Sequence, residues 1–363
     1  MIAKLICAGL LGLATVSCAV SPPTTVTPLP LEIEQEIDAV FAKWDRADSP
    51  GMTVGVVQDG EFLYLRGFGS ADLAKRTPNS AHTVFRIASS SKQFTAACIA
   101  MLIEEGKLSM ETPLGEVLPE LASWSQGVEI RHLVFHTSGI PDYLDLHQED
   151  FFTPAQSFAL LCKQGRPRFT PGSQFEYSNS NYFLLAEIIT RVSGIPFPQF
   201  AKQEIFDPLG MKQSHFHFDP NHVVENVAHG YGKERFRGWV NWDTPLAHVG
   251  DGGLFTTVLD LAKWQENFRS LKVGNASWLR RMLTPSLEDY AFGLSVEEGT
   301  SLGTMIWHGG SWSGFNSELL RFPDYHLSVI VLSNSDYADA SSLALEVSGA
   351  LTEFMLASAV GQE

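Results

Sequence analysis

Residues 85–95 of this 363-residue chain read Phe-Arg-Ile-Ala-Ser-Ser-Ser-Lys-Gln-Phe-Thr, and they open a long apolar helical pattern. Ser89 and Lys92 are three positions apart, which places both side chains on one face of the first helical turn. A serine hydroxyl becomes nucleophilic when a neighbouring amine takes its proton, and a helix N-terminus favours an oxyanion. The same spacing also arises by chance, with the serine as a helix cap and the lysine on the surface.

A second polar segment, residues 175–182, reads Phe-Glu-Tyr-Ser-Asn-Ser-Asn-Tyr and immediately precedes another helical pattern. Tyr177 and Asn179 alternate in it, so both can point into one cleft if the backbone is extended or tightly turned. A tyrosine beside a lysine cation can act as acid and base, and an asparagine amide can hold a substrate carbonyl. The simpler interpretation is that Asn and Ser side chains cap the helix that starts near Tyr182.

Residues 306–311, Ile-Trp-His-Gly-Gly-Ser, form a third motif at the end of a predicted strand. Gly309 and Gly310 would allow the backbone of a ligand to approach this strand closely. Alternatively, His308 has a structural role in a partly buried position and the glycines form a bulge or turn. Each of the three motifs is ordinary on its own, whereas their order and spacing are not.

In this order the motifs resemble the serine β-lactamase, penicillin-binding protein and D-Ala-D-Ala peptidase superfamily. The tyrosine of the second motif makes the chain similar to the class C branch, with its related DD-peptidases, D-aminopeptidases and family VIII-type esterases. Residues 136–140 (His-Thr-Ser-Gly-Ile), 252–257 (Gly-Gly-Leu-Phe-Thr-Thr) and 260–262 (Asp-Leu-Ala) look like further segments of that branch. The resemblance extends from about Leu31 to the C-terminus and implies a serine hydrolase that works through an acyl-enzyme.

The resemblance also implies a role for each matching residue. Ser89 is expected to be the acylated nucleophile, Lys92 its base partner, and Tyr177 the phenol that relays protons. The backbone N–H groups of Ser89 and Ser311 are expected to form the oxyanion hole. No metal or organic cofactor is required. The expected substrate-binding residues are Asn179, His308, Gly309, Gly310 and Ser311.

His308 departs from many true β-lactamases of this branch, which carry lysine at that position. Lysine neutralises the carboxylate of a β-lactam, so its replacement argues against efficient hydrolysis of these antibiotics. The acyl group stays open among D-amino peptides, short-chain esters, β-lactams and lactones. A non-hydrolytic penicillin-binding protein or a degenerate binding protein is the alternative function, although a degenerate site would be expected to lose one of its motifs.

The order of predicted elements indicates an α+β fold, in which an antiparallel sheet flanked by helices contains an inserted all-helical subdomain. The sheet subdomain is expected at about 31–80 and 240–363, and the helical subdomain at about 81–239. The Asp59-Gly60 turn between two β-rich runs predicts a hairpin. The predicted helices are 31–44, 91–105, 130–135, 154–163, 182–192, 254–268 and 341–355, and the predicted strands are 52–57, 62–68, 291–296, 305–307, 317–322 and 327–332.

The formal net charge of −16 argues against a nucleic-acid-binding protein, because phosphate neutralisation needs clustered lysines and arginines. The expected partner is instead a small-molecule or peptide substrate.

Lys4, followed by an apolar run from Leu5 to Val16, predicts an export signal over residues 1–20. Residues 21–30 are rich in Pro and Thr and are expected to be a linker.

Two processing routes are open at the end of this signal. Residues 15–18, Thr-Val-Ser-Cys, resemble a bacterial lipobox, in which Cys18 becomes the lipid-carrying N-terminus. Residues 17–19, Ser-Cys-Ala, also fit the small-x-small pattern that signal peptidase cleaves. The mature protein is therefore expected outside the cytoplasm, as a membrane-anchored lipoprotein, a periplasmic protein or a secreted one.

Several other candidate residues are expected to have structural roles. Cys98 and Cys162 lie in apolar helical patterns, which buried free thiols fit better than a disulfide. The aromatic residues that line the acyl-binding cleft or else pack in the core are Tyr143, Trp242 and Phe315. Two histidine pairs are not expected to bind a metal ion. His132 and His136 lack the glutamate of a zinc-binding helix, and His215 and His217 lack a third ligand of evident spacing.

Overall fold

The structure, a computed structural model, describes residues 29–217 and 224–360 of the chain. The predicted export signal, Cys18 and residues 21–28 of the predicted linker lie outside the described residues. The strands are β1 Met52–Gln58, β2 Glu61–Phe68, β3 Ser70–Asp72, β4 Thr77–Pro78, β5 Phe85–Arg86, β6 His215–Phe216, β7 Tyr231–Glu234, β8 Gly238–Asn241, β9 Leu254–Thr256, β10 Ser295–Thr300, β11 Gly303–Trp312, β12 Phe315–Phe322 and β13 Leu327–Ser333. The helices are α1 Leu31–Phe41, α2 Lys92–Glu104, α3 Leu114–Val117, α4 Ile130–Val134, α5 Tyr143–Leu146, α6 Pro154–Cys162, α7 Asn179–Ser193, α8 Phe197–Ala201, α9 Asp207–Leu209, α10 Val258–Ser270, α11 Ala276–Leu283 and α12 Ala340–Val360. Within these two ranges, no helix combines the length and the apolar character that crossing a bilayer would need.

The main sheet of the described chain has six strands in the order β10-β11-β12-β13-β1-β2, and all neighbouring strands are antiparallel. Met52 lies opposite Ser333, so the first and last strands pair directly. The hairpin predicted at Asp59-Gly60 is confirmed, because both residues have a positive φ (50° and 83°), as a two-residue turn between antiparallel strands requires. The α+β fold class is confirmed as well.

Helices cover both faces of the main sheet, and each face has its own apolar core. On one face, α1 and α12 pack around the side chains of Val54 and Val331. On the other face α10 comes so close that a Cβ on Gly55 would lie 2.6 Å from Val258 Cγ2. Strand β1 is therefore buried on both sides, which explains why its apolar residues do not alternate with polar ones.

Helix α2 lies at the centre of the second core and is buried along most of its length. Phe94 packs on Trp264 of α10 with ring centroids 4.4 Å apart. Cys98 of α2 and Cys162 of α6 are free, as predicted. Because Lys92 is the first residue of α2, the burial of this helix also fixes the position of that lysine.

Three predicted elements begin in the wrong place. The helix predicted over 182–192 already begins at Asn179, so Asn179 is its first residue. The strand predicted over 291–296 is wrong in its first half, because the chain turns at Gly293 (φ 66°) before β10 begins. A Cβ on Gly293 would lie 2.6 Å from the carbonyl carbon of Lys92, so this turn packs on the start of α2. The helix predicted over 254–268 begins only at Val258, since the preceding residues form β9.

The region of about 81–239, predicted to be an all-helical insertion, also contains the short strands β5, β6 and β7. β5 and β6 pair with the two edges of β9 and form a small antiparallel sheet. This sheet ties the residues just before Ser89 to the glycine-rich segment 252–257.

Glu318 is a fully buried carboxyl group in the main sheet. It lies on β12 opposite Gly309, and its Oε2 accepts a hydrogen bond from the Ser341 hydroxyl of α12. Burial raises the pKa of Glu318 to about 7. Between the ordinary pKa of a glutamate and this value, the folded protein holds a proton that the unfolded chain has released. The free energy of unfolding therefore falls as the pH rises through this window.

We expect Glu318→Gln to remove most of this fall, because the amide is neutral at every pH and keeps an oxygen that accepts from Ser341. Thermal unfolding at about pH 5 and about pH 8 measures the effect. At the higher pH, the free energy of unfolding of the variant should be larger than that of the wild type by on the order of 1–3 kcal/mol. The exposed Glu297→Gln on β10 is the matched control. A pH dependence that persists unchanged in Glu318→Gln would contradict the assignment to this carboxyl group.

Candidate active site

Ser89 lies in a short 3-10 turn that leads directly into α2. Ala88 has a positive φ of 45°, so the chain bends sharply just before the serine. The hydroxyl of Ser90 donates a hydrogen bond of 3.0 Å to the backbone oxygen of His308 on β11, and the N–H of Ile87 donates to β9. Two strands therefore hold this turn and fix Ser89 in the wall of a cleft.

Lys92 is fully buried, and its Nζ contacts three oxygens. Nζ lies 3.1 Å from Ser89 Oγ, 2.8 Å from Asn179 Oδ1 and 2.7 Å from the backbone oxygen of Asp251. An ammonium group has three N–H donors, so these contacts use all of them. Loss of one proton would leave a lone pair facing the Ser89 hydroxyl, which is the arrangement that a general base needs.

Tyr177 lies over the lysine at the opening of the cleft and is 39% exposed. Its ring centroid is 4.8 Å from Lys92 Nζ, and its ring stacks on His136 with centroids 4.2 Å apart. Burial lowers the pKa of His136 well below 6.5, and its Nδ1 accepts a hydrogen bond of 3.1 Å from the N–H of Ser178. The neutral ring of His136 thus supports Tyr177. In the part of the chain that the structure describes, no group of His, Cys, Asp and Glu could hold a metal ion.

Asn179, predicted to contact the substrate, uses its side chain for contacts within the protein. Its Oδ1 accepts from Lys92, and its Nδ2 donates to Asp142 Oδ2 at 2.9 Å. The backbone N–H of Asn179 donates to the same carboxylate oxygen at 2.7 Å, and burial raises the pKa of Asp142. Sequence reasoning missed Asp142, whose only local signal is that of a helix cap before α5. The Asn179 side chain therefore orients the lysine.

The motif of residues 306–311 forms part of β11, and its residues 307–311 line the cleft beside Ser89. A Cβ on Gly310 would lie 2.8 Å from the backbone nitrogen of Ser89 and 2.3 Å from the backbone oxygen of Ile87. A side chain at this position would therefore push β11 away from the serine turn. Ser311 follows Gly310 on β11 and lines the same cleft as Ser89, where the predicted oxyanion hole would need its backbone N–H group.

His308 is buried and neutral. Its Nδ1 lies 2.6 Å from the Gly309 backbone oxygen and therefore donates, which leaves Nε2 to accept from the Tyr290 hydroxyl at 3.2 Å. Burial and the nearby Lys92 cation lower the pKa of His308 to about 3. The position thus offers no positive charge at neutral pH.

The cleft has a volume of about 690 Å³. Of the three aromatic candidates, Tyr143 lines it, whereas Trp242 packs over Gly232 and Phe315 over Gly230. The predicted site residues that line it are Ser89, Tyr177, Asn179, His308, Gly309, Gly310 and Ser311. Lining residues that the sequence motifs did not indicate include Arg86, Leu246, His248, Asp251 and Tyr290.

Comparison with known proteins shows what the chain is similar to. A family model described as Beta-lactamase matches residues 37–351. The chain is 30% identical to penicillin-binding protein 4* of Bacillus subtilis over 313 residues, which cover 78% of this chain and 68% of that protein. It is 29% identical to the D-aminopeptidase of Brucella anthropi over 310 residues, which cover 82% of this chain but only 58% of the relative. The structure of the octameric penicillin-binding protein homologue from Pyrococcus abyssi matches with a TM-score of 0.78 and 29% identity, covering 88% of this chain and 76% of that one.

Gly310→Ala should lower the reactivity of Ser89, because the added methyl group would displace the serine turn from β11. We expect labelling of Ser89 by a fluorophosphonate probe to slow by about 100-fold, since displacements near 1 Å can cost that much. Gly165→Ala is the control, because a methyl group there meets no atom within 4 Å. A labelling rate equal to that of the wild type would show that the close approach of Gly310 does not matter.

Proposed function

We propose that this chain, which belongs to the beta-lactamase family, is a serine hydrolase that cleaves ester or amide substrates through an acyl-enzyme. The contact of 3.1 Å between Ser89 Oγ and the buried Nζ of Lys92 carries the proposal. Tyr177 lies beside this pair in the same cleft, as the proposed proton relay requires. The similarity to a penicillin-binding protein and to D-aminopeptidases supports the same class of reaction.

In the proposed reaction, Ser89 Oγ attacks the substrate carbonyl carbon while Lys92, assisted by Tyr177, takes the hydroxyl proton. The backbone N–H groups of Ser89 and Ser311 stabilise the negative charge that develops on the carbonyl oxygen. The proton then passes to the alcohol or amine, which leaves as its bond to the carbonyl carbon breaks. Water attacks the acyl-enzyme with help from the same groups, and Ser89 is regenerated as a carboxylic acid is released.

The part of the cleft wall around His308 favours uncharged substrates over those that carry a carboxylate. His308 is neutral near pH 7, so it offers no cation to a carboxylate. Glu288 and Asp339 add acidic groups to the cleft wall. We therefore propose simple esters and amides as better substrates than penicillins, and the D-aminopeptidase relatives add D-aminoacyl amides to the candidates.

Ser89→Ala should abolish turnover, because no other group in the proposal forms the acyl bond. We expect hydrolysis of p-nitrophenyl acetate and of a D-alanine anilide to fall by about 1,000-fold or more. Rapid quenching and intact-mass measurement should detect an acyl adduct on the wild-type protein only. The exposed Ser123→Ala is the control. Undiminished turnover by Ser89→Ala would contradict the proposal.

Benzylpenicillin separates this function from its alternative. A long-lived adduct on Ser89, without turnover of any ester or amide, would identify a non-hydrolytic penicillin-binding protein. Turnover of esters with little reaction toward penicillin is the expected result, because His308 carries no charge.

We also propose that the mature protein works outside the cytoplasm, attached to a membrane through a lipid on Cys18. The apolar run from Leu5 to Val16, which lies outside the described residues, supports this proposal. In a bacterial host, the wild-type protein should sediment with membranes, whereas Cys18→Ala should not, and Cys98→Ala is the control. Membrane association that survives Cys18→Ala would contradict lipid attachment.

A further inference from the structure

The start of α5 is tied to the start of α7 by hydrogen bonds on both sides of Asp142. The hydroxyl of the fully buried Ser180 donates to the Pro141 backbone oxygen at 2.7 Å and accepts from the backbone N–H of Tyr143 at 2.8 Å. Ser180 directly follows Asn179 in the chain. The backbone around Asp142 is therefore held beside Asn179 by bonds that do not involve the Asp142 side chain.

Three N–H donors face the carboxyl group of Asp142. Its Oδ2 accepts from the backbone N–H of Asn179 at 2.7 Å and from Asn179 Nδ2 at 2.9 Å. Its Oδ1 accepts from the N–H of Leu144 at 3.0 Å, which is the capping bond of α5. A helix cap needs only the bond to Leu144, so capping does not account for the two bonds to Asn179.

The bonds from Asn179 determine which end of its amide faces Lys92. Because the carboxyl oxygen of Asp142 accepts, the Nδ2 end of the amide points to Asp142. The Oδ1 end then points to Lys92 Nζ, which donates to it at 2.8 Å. A reversed amide would bring donor nitrogens together at Lys92 and acceptor oxygens together at Asp142. Since Lys92 is fully buried, the loss of an acceptor there is costly.

The position of Lys92 Nζ in turn decides how it meets the serine. Nζ lies 3.1 Å from Ser89 Oγ, and its other two acceptors are Asn179 Oδ1 and the backbone oxygen of Asp251. Three acceptors use all three N–H donors of the ammonium group and so fix the place of its nitrogen. An Asn179 side chain released from Asp142 would leave one of the three acceptors free to turn away.

We propose that Asp142 is a positioning residue for the acyl transfer, which orients the Asn179 amide so that its oxygen keeps Lys92 Nζ at Ser89. The inference rests on the proposed function, in which Lys92 takes the hydroxyl proton of Ser89. Asp142 acts through Asn179 and makes no contact with the substrate. Two predictions follow from this route, one for pairs of substitutions and one for the replacement at position 142.

A double-mutant cycle between Asp142 and Asn179 tests the route. The measured quantity is the rate at which a fluorophosphonate probe labels Ser89, because it reports the reactivity of this serine whatever the substrate is. We expect Asp142→Ser to slow labelling by about 10- to 100-fold, since small displacements of a reacting group can cost that much. Asn179→Ala should itself label slowly. In that background Asp142→Ser should change the rate by less than about twofold, because no amide is left to orient.

Two replacements at position 142 separate positioning from helix capping. The hydroxyl of Asp142→Ser caps the N–H of Leu144 but offers no second oxygen to Asn179. The single amide oxygen of Asp142→Asn satisfies either both donors of Asn179 or the one donor of Leu144. The first orientation satisfies more donors, so Asp142→Asn keeps the bonds to Asn179 and loses the cap.

We therefore expect the two variants to differ in opposite ways. Asp142→Ser should unfold near the wild-type temperature and label slowly. Asp142→Asn should unfold at a lower temperature and label at a rate close to that of the wild type. A merely structural role of Asp142 predicts instead that labelling slows as thermal stability falls, and so that Asp142→Asn is the slower of the two.

The matched control is Asp145→Ser, which makes the same change on the same helix at an exposed residue that pairs with Arg168. It should label like the wild type in both backgrounds. Equal slowing by Asp142→Ser with and without Asn179→Ala would overturn the positioning role, as would wild-type labelling of Asp142→Ser or of Asn179→Ala. These outcomes leave the proposed function standing if labelling depends on Ser89. If the probe does not label Ser89 in the wild type, the proposed function and the positioning role both fail.

Discussion

The buried Nζ of Lys92 needs three hydrogen-bond acceptors, and the fold supplies them from three separate segments of the chain. The serine turn provides Ser89 Oγ, the start of α7 provides Asn179 Oδ1, and the segment before β9 provides the backbone oxygen of Asp251. An ammonium group buried without such partners would be far less stable than one in water. The helices and the sheet must therefore be correctly docked before this lysine can be buried. The geometry of the site thus depends on the whole fold through the contacts of Lys92 Nζ.

The sheet topology explains why the serine turn is held so firmly. Strand β9 lies on one side of the turn and β11 on the other, and the hydroxyl of Ser90 bridges to both β11 and Ser317 of β12. Gly310 has no side chain, which allows β11 to lie against the backbone of the serine turn. Ser89 therefore lies at a junction that hydrogen bonds tie to two sheets, and such a fixed position would limit the reorganisation that the proposed reaction requires.

Local patterns predicted the elements of the fold and the residues that lie close together in sequence. Ser89 and Lys92 are recognisable because the two side chains lie one helical turn apart, and the Asp59-Gly60 turn because it depends only on local backbone conformation. The contact between Lys92 and Asp251 joins residues 159 positions apart, and no local sequence pattern around either residue predicts it. The same is true of Asp142 and Arg86, whose surroundings exist only after folding. The turn at Gly293 escaped prediction because packing against the backbone of Lys92, and not local preference, sets its position.

The direct pairing of β1 with β13 has a consequence for biosynthesis. Gly51 donates a hydrogen bond to Asn334, 283 positions further along the chain, so the centre of the sheet closes only when almost the whole polypeptide is available. Until then the β1–β2 hairpin has an open edge, and such edges expose a nascent chain to aggregation and proteolysis. The wall formed by β11 is also absent at that stage. The chain therefore carries Ser89, the proposed nucleophile, from an early point in synthesis, but the cleft around it is assembled only with the last strands.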